Sequence, residues 1–322
     1  MSENTIHIVG FGSQGSAWAQ CLRASGWNVQ VYLTHLGGSP NRPPSKSYEA
    51  AEKLGFKPHP LKDLPLHLSP GEKPHWVAML CPDGVIAPVY RDFLQSSPAD
   101  IRLILAHGYV VYANELNLAG PHHRVTLLAP KAIGPKLLEN FQNSFPAPHR
   151  LAAAFWAAPA DQEALSQIAR ALGFAQDSLI NASFEQEAIG DLISEQGLLC
   201  GGVFNLLELT MNTMQKAGIP EALIREECIT ELELIAGLIR ERGVCQSFKA
   251  ISQAAQCGTA SMAEKLDAAG IQEIFETQAT FVQNREFVGY FRSQKWQDRI
   301  HQFTERLSRW EERFRDLQRK QL

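Results

Sequence analysis

The chain has no Cys-x-x-Cys pair. Its six cysteines, Cys21, Cys81, Cys200, Cys228, Cys245 and Cys257, stand alone, so the paired spacing of a structural zinc site is missing. Reduced, mostly buried thiols are the expected state. No apolar run approaches the roughly 20 residues of a membrane span. The opening Met1-Ser2-Glu3-Asn4-Thr5 lacks the charged-then-apolar order of a signal peptide. The expectation is a cytoplasmic protein with no membrane partner. An excess of positive charge is also absent: 30 Lys and Arg face 34 Asp and Glu, a formal net charge of −4. That balance argues against nucleic acid as a main partner. One further scarcity is local, because no acidic residue occurs between Glu3 and Glu49.

What is present is an ordinary soluble composition, 45% apolar and 20% charged, over 322 residues. That length points to two domains. The first part alternates. Strands are expected at Ile6–Val9, Val29–Leu33, Trp76–Cys81, Ile101–Ala106 and Val125–Ala129, and helices at Ser13–Ser25, near Ser47–Leu54 and at Gly84–Leu94. Leu151–Ala157 and Leu179–Phe184 extend the strand series around a helix at Gln162–Leu172. Such alternation implies an α/β domain with a doubly wound parallel sheet over residues 1–181. From residue 182 to 322 helical periodicity dominates, and an all-helical second domain is expected. Its last stretch, Lys295 to Leu322, is a charged helix whose Trp296, Phe303, Trp310 and Phe314 read as a packing stripe. Residues 37–44 have the composition of a loop.

Gly10-Phe11-Gly12-Ser13-Gln14-Gly15 is a G-x-G-x-x-G run, directly after the first expected strand and opening the first expected helix. In that context the glycines let backbone approach a pyrophosphate, and the helix N-terminus offers free N–H groups to it. NAD sites place an Asp or Glu at the end of the second strand. Here that strand ends in Leu33-Thr34-His35, and Arg42, Ser45, Lys46 and Ser47 follow. Cations and hydroxyls suit a 2′-phosphate, so NADP is the expected cofactor. A solvated basic loop is the plain alternative.

Two acid pairs stand four residues apart in helical sequence, Asp191 with Glu195 and Glu227 with Glu231. Each pair falls beside or on an apolar stripe, Leu192, Leu198 and Leu199 for the first, Ile224, Cys228, Ile235 and Leu238 for the second. A carboxylate in a packed stripe is costly unless paired or bound to a cation, and four together would suit a divalent cation with oxygen ligands. A solvated face, or neutralisation by Arg225, Arg240 and Arg242, explains the same spacing.

At these residues the chain resembles the short-chain ketol-acid reductoisomerases. The glycine loop is similar to their G-Y-G-S-Q-G. Ser45-x-Ser47, Leu80-Cys81-Pro82-Asp83, Ala106-His107-Gly108 and Ala129-Pro130-Lys131 resemble further family blocks. Asp191-Leu192-Ile193-Ser194-Glu195-Gln196 with Leu199-Cys200-Gly201-Gly202 resembles D-L-F-G-E-Q-x-x-L-C-G-G. Glu227-Cys228-Ile229-Thr230-Glu231-Leu232 resembles E-C-L-H-E-L, and Ile251-Ser252 the end of S-I-S. The blocks run in family order from about residue 5 to 260. The chain departs from the family at Thr230, at Ala132-Ile133, at Glu187-Ala188-Ile189-Gly190 before the first acid pair and in a longer loop before Ser45.

The resemblance implies a Rossmann-type domain followed by a knotted helical domain, and an NADPH- and Mg²⁺-dependent enzyme of branched-chain (valine and isoleucine) amino-acid biosynthesis. In that activity an alkyl group of a 2-aceto-2-hydroxy acid migrates and the product is reduced. The implied cofactor residues are Gly10, Phe11, Gly12, Ser13, Gln14, Gly15, Arg42, Ser45, Ser47, Pro82, Asp83 and Gly134. Two Mg²⁺ would be held by Asp191 (bridging), Glu195, Glu227 and Glu231. His107, Lys131 and Glu231 would serve catalysis, and Ser252 would hold the substrate carboxylate. A homodimer would build each site from two chains. Alternatives are a plain NADP-dependent 2-keto-acid or β-hydroxy-acid reductase, suggested by the departures beside Lys131 and Glu231, and an inactive cofactor-binding sensor or scaffold.

Overall fold

The structure, a computed structural model, describes residues 4–34, 45–71 and 73–321, with side chains to residue 315. It divides into two units, Met1–Ala188 and Ile189–Leu322. In the first, β1 (Thr5–Val9) leads to α1 (Ser13–Ala24) and β2 (Asn28–Leu33). Then come α2 (Lys46–Lys53), β3 (His59–Pro60), a 3-10 segment at Leu61–His67, β4 (His75–Met79) and α3 (Asp83–Val89), which continues as a π-helical turn over Tyr90–Leu94. β5 (Ile101–Leu105), α4 (Tyr109–Tyr112), β6 (His123–Pro130), α5 (Gly134–Ser144), β7 (Ala153–Trp156), α6 (Gln162–Ala171), β8 (Leu179–Asn181) and α7 (Phe184–Ser194) follow.

The eight strands form one sheet in the order β3-β2-β1-β4-β5-β6-β7-β8. All neighbouring strands run parallel except β6 and β7, which pair antiparallel with Leu127 opposite Trp156 and Pro130 opposite Ala153. The doubly wound α/β expectation is therefore borne out. Three elements of this unit, β3, the single-turn α4 and α5, have no counterpart in the expected series. α5 opens on Gly134-Pro135, which reads as a turn, yet proline in the first helical turn forfeits no hydrogen bond.

Successive strand residues face opposite sides. Ile6 and Ile8 pack with Trp18 and Leu22 of α1, Leu137 and Phe141 of α5 and Ile168 of α6. Val9, Val77, Leu103 and Leu105 pack on the other face with Leu61, Leu64, Ile86 and Val89. On that second face His7 is 4% exposed. Its Nδ1 lies 3.1 Å from the Tyr32 hydroxyl, which lies 2.7 Å from His67 Nδ1. The rings of His59 and His75 complete the group, 5.5 Å from Tyr32 and 5.7 Å from His7. Burial, helped by repulsion from His75, His67 and His59, pushes the His7 pKa down to about 4. Elsewhere Arg102 is sunk between Asp100 and Asp161, with Nε 2.6 Å from Asp161 Oδ1, and ties β5 to the turn before α6.

The second unit is helical, as expected. A π-helical segment at Glu195–Gly202 is followed by α8 (Val203–Lys216), α9 (Glu221–Arg225), a second π-helical turn at Glu226–Thr230, α10 (Glu231–Arg242), α11 (Val244–Ala250), α12 (Gln253–Ala268), α13 (Ile271–Gln283), α14 (Glu286–Ser293) and α15 (Gln297–Gln321). One buried cluster among the described residues joins Met211, Ile224, Cys228 and Trp310, with Phe314 against them. Trp310 also donates from Nε1 to Asn212 Oδ1 at 3.2 Å, so the C-terminal stripe packs as expected at these two aromatics. Among the described residues, seventeen of the twenty-three large apolar side chains that stay exposed belong to this unit. The cysteines correct one expectation. All six are free thiols, but Cys200, Cys245 and Cys257 are exposed, each on a side of its helical segment that packs against none of the buried residues.

Candidate functional site

The strand order reverses at β1, from which β2 lies to one side and β4 to the other. Open α/β sheets bind ligands at the carboxyl ends of strands flanking such a switch point. The glycine loop occupies it. Gly10 has φ +100°, and a Cβ there would stand 2.5 Å from the Leu80 carbonyl oxygen, so only glycine lets the loop lie against the end of β4. Gly134, at the start of α5, comes equally close to the loop: a Cβ would meet the Ser13 carbonyl oxygen at 2.0 Å. Gln14 bridges the same two segments, donating from Nε2 to the Ala132 carbonyl at 2.8 Å. That bond fixes the amide orientation, and it leaves Gln14 Oε1 buried without a hydrogen-bond partner. A buried orphan acceptor at such a place is what an absent ligand donor would leave.

Two adjoining cavities open here. One, ≈ 330 Å³, is lined by Gly12, Ser13, Gln14, Leu80, Pro82, Asp83 and His107, among others. The other, ≈ 370 Å³, is lined by Gly10, Phe11, Gly12, Tyr32, Thr34, Ser45, Ser47, Leu61 and Val85, among others. Nine of the sequence-expected cofactor residues thus line these two cavities, and Gly15 and Gly134 are buried beside the loop. Arg42 lies outside the described residues, as does the expected loop at 37–44. Ser45 caps α2, its Oγ accepting from the Tyr48 N–H at 3.2 Å.

His107 follows β5, and Asp83 starts α3 just beyond β4. Because β4 and β5 are parallel neighbours, their carboxyl ends bring the two side chains together. His107 Nδ1 lies 3.1 Å from Asp83 Oδ2, and its ring stacks on Tyr109 at 6.1 Å. Lys131, at the end of β6, donates from Nζ to Glu187 Oε1 at 2.6 Å. The other carboxylate oxygen of Glu187 accepts the Gly108 N–H at 2.5 Å. A carboxylate oxygen of Glu187 also lies within 4.8 Å of a His107 ring nitrogen. The Glu187 side chain is only 1% exposed. Sequence reasoning gave Glu187 no role. The available signal was its place one helical turn before Asp191, but nothing in the sequence disclosed its burial. Gly108 allows this packing, since a Cβ there would strike the Phe184 carbonyl oxygen at 2.1 Å.

The acid pairs lie in the second unit. Asp191 is half-buried near the end of α7, and Glu195 is exposed at the start of the first π-helical segment. Their charge reaches Cys200, whose thiol is pushed up by burial and then by Glu195 and Asp191. Glu227 lies in the second π-helical turn, and Glu231 directly follows it. Both line a ≈ 340 Å³ cavity with Val203, Leu206, Leu207 and Ile235. π-helical turns are rare and occur often at functional sites. Arg225 pairs with Glu226 at 2.6 Å, and Thr230 donates to Glu226 Oε2 at 2.7 Å. Among the described residues, no three of the four carboxylates bring ligand oxygens within 4.8 Å of one another in a single chain. Ser252 is the exposed N-cap of α12, its Oγ accepting from the Ala255 N–H. A further cavity, ≈ 1190 Å³, is aromatic, lined by Phe281, Phe287, Tyr290, Phe291 and Trp296 among others, and none of the expected site residues lines it.

Comparison with known proteins matches both units. Residues 1–177 match the family of the acetohydroxy acid isomeroreductase NADPH-binding domain, and residues 184–316 match the ketol-acid reductoisomerase C-terminal domain. A ketol-acid reductoisomerase (NADP(+)) of Sulfurisphaera tokodaii is 32% identical over 80% of this chain and 74% of its own. A ketol-acid reductoisomerase (NAD(+)) of an uncultured archaeon is 27% identical over 89% of this chain and 84% of its own. The solved structure of an NADH-preferring ketol-acid reductoisomerase from an uncultured archaeon shares the fold, with a TM-score of 0.82 over 98% of this chain and 94% of that one at 24% identity.

Proposed function

Since the chain belongs to the ketol-acid reductoisomerase family, we propose that it converts a 2-aceto-2-hydroxy acid such as 2-acetolactate into the 2,3-dihydroxy acid, a reaction of branched-chain amino-acid synthesis. The observation that carries this reading is the group at the switch point, where His107 with Asp83 and Lys131 with Glu187 stand beside the dinucleotide loop.

The residues present fit a dinucleotide. The orphan Gln14 Oε1 offers an acceptor inside the cavity, and the loop and α1 present backbone N–H groups to a pyrophosphate. Ser45 and Ser47 at the start of α2, with no acid at Thr34, favour NADPH over NADH. The donor set also fits divalent cations, being four carboxylates of the all-oxygen kind that Mg²⁺ takes. Asp191 would bridge two ions, with Glu195, Glu227 and Glu231 completing their ligands. When bound, the ions supply polarisation of the substrate oxygens, and the dinucleotide supplies the hydride. The remaining work falls to this chain's own groups. Lys131, held by Glu187, orients a substrate oxygen. His107 handles a proton beside the nicotinamide position, Glu231 acts as acid or base at the migrating centre, and Ser252 takes the substrate carboxylate. No three of the four acids converge within one chain, and the helical unit leaves many apolar side chains exposed. Both facts support a homodimer with shared sites.

The test follows NADPH oxidation with 2-acetolactate, with and without Mg²⁺, beside the pre-formed 3-hydroxy-3-methyl-2-oxobutanoate. Turnover of acetolactate only with Mg²⁺ is the expected result. Reduction of the second compound without any reaction of acetolactate would establish a plain reductase instead. NADPH should bind more tightly than NADH, and equal binding would overturn the cofactor reading.

A further inference from the structure

We infer that Asp83 is the positioning residue of His107, fixing which ring nitrogen can exchange a proton in the dinucleotide cavity. The inference deepens the proposed reaction and rests on it for its catalytic arm only. The geometry is local to the first unit. Asp83 Oδ2 lies 3.1 Å from His107 Nδ1, and both side chains line the ≈ 330 Å³ cavity formed with Gly12, Ser13 and Gln14. Both are partly buried, with side chains 31% and 23% exposed, so the contact is screened but not dissolved by water.

A carboxylate is an acceptor only, so the ring nitrogen facing it must carry hydrogen. His107 therefore keeps Nδ1–H in its neutral form and in its cationic form alike, and proton exchange is confined to Nε2. The hydrogen bond on one ring nitrogen decides the role of the other. Two restraints act on the ring together: Asp83 holds its Nδ1 edge, and Tyr109, 6.1 Å away at an interplanar angle of 21°, supports its face. Glu187 lies on hand as a second carboxylate, but Lys131 and the Gly108 N–H engage its two oxygens. The Asp83 contact is the hydrogen bond made by Nδ1, and it sets the tautomer. Its own footing is firm, since it is the first residue of α3 behind Pro82, whose ring restricts the backbone just before it.

The test uses full-length protein carrying ¹⁵N-histidine, with the His107 signals assigned by loss in His107→Gln. In wild type the neutral ring should show a protonated Nδ1 and a lone-pair Nε2. Asp83→Ala should bring in the Nε2–H tautomer. With the pre-formed 2-keto acid as substrate and NADPH saturating, kcat should fall at least about tenfold. Asp83→Glu should restore the tautomer and part of kcat. An unchanged tautomer in Asp83→Ala overturns the inference. So does a loss confined to NADPH affinity, which would make Asp83 a ribose contact only. If wild type turns over no 2-keto acid, the reaction reading fails, and the tautomer arm still decides the role of Asp83.

Discussion

Acidification should unfold the first unit through His7. An imidazole ordinarily titrates near 6.5, and burial lowers the His7 pKa to about 4. Between those values the unfolded chain binds a proton that the folded chain refuses, so stability rises with pH across the window. The contribution is intact above the unfolded value, declines as pH falls below about 6.5 and levels off below about 4. A shift of this size amounts to roughly 3 kcal/mol in full, of which about 2 kcal/mol is lost between about pH 7.5 and pH 5. Carboxylates and the other buried histidines titrate as well, so the informative quantity is a difference between proteins. His7→Gln keeps a polar group beside the Tyr32 hydroxyl and removes the titration. Native-state hydrogen exchange of the β1 and β2 peptides in a urea series gives the stability of each at both pH values. The wild type should lose about 2 kcal/mol more than the variant on acidification. Parallel losses would refute the argument, and so would a greater loss in the variant.

Other outcomes follow from single contacts. Glu187→Leu strands the Gly108 N–H and should cost about 2 kcal/mol in urea unfolding; Glu187→Gln keeps an acceptor there and should cost less than half as much. Gly134→Ala drives a methyl group toward the Ser13 carbonyl and should weaken NADPH at least about tenfold. Gly84→Ala, with nothing within 4 Å of the new carbon, is the control that should bind normally. Asp191→Asn and Glu227→Gln proteins, each inactive, should regain about a quarter of wild-type activity when unfolded and refolded together, because half of randomly paired dimers are mixed and each of those has one unaltered site. A dead mixture with mixed dimers confirmed by mass would place each site within one chain.

The first unit was largely legible because its signals are local. A buried parallel strand is a short apolar run, and a dinucleotide loop is three glycines between a strand and a helix. β3 escaped because two residues, one of them proline, carry no alternation. The antiparallel turn of β7 escaped because direction is a property of pairing. At the site, His107, Lys131 and the glycine loop stood out through motif, whereas the Lys131–Glu187 pair depends on α7 meeting Gly108, a contact between residues 79 apart. The second unit was legible as helix and misleading as surface. Ile224 and Cys228 of the expected stripe are buried, yet Ile235 is 39% exposed.

The π-helical turn at Glu226–Thr230 accounts for that lost stripe and makes the block sensitive to length as well as to identity. A turn closed by i→i+5 bonds holds one residue more than a turn closed by i→i+4 bonds. Each residue of an α-helix advances about 100°, so a periodicity counted straight through the turn emerges out of phase by about that angle, and the apolar rows before and after it point different ways. The surplus residue is absorbed where Glu227 and Glu231 stand. Deleting Ile229 should let the backbone close into uninterrupted α-helix, leaving α9 and α10 on their present axes and the fold intact. The two carboxylates would then be three residues apart instead of four, and their shared cavity would lose its present outline.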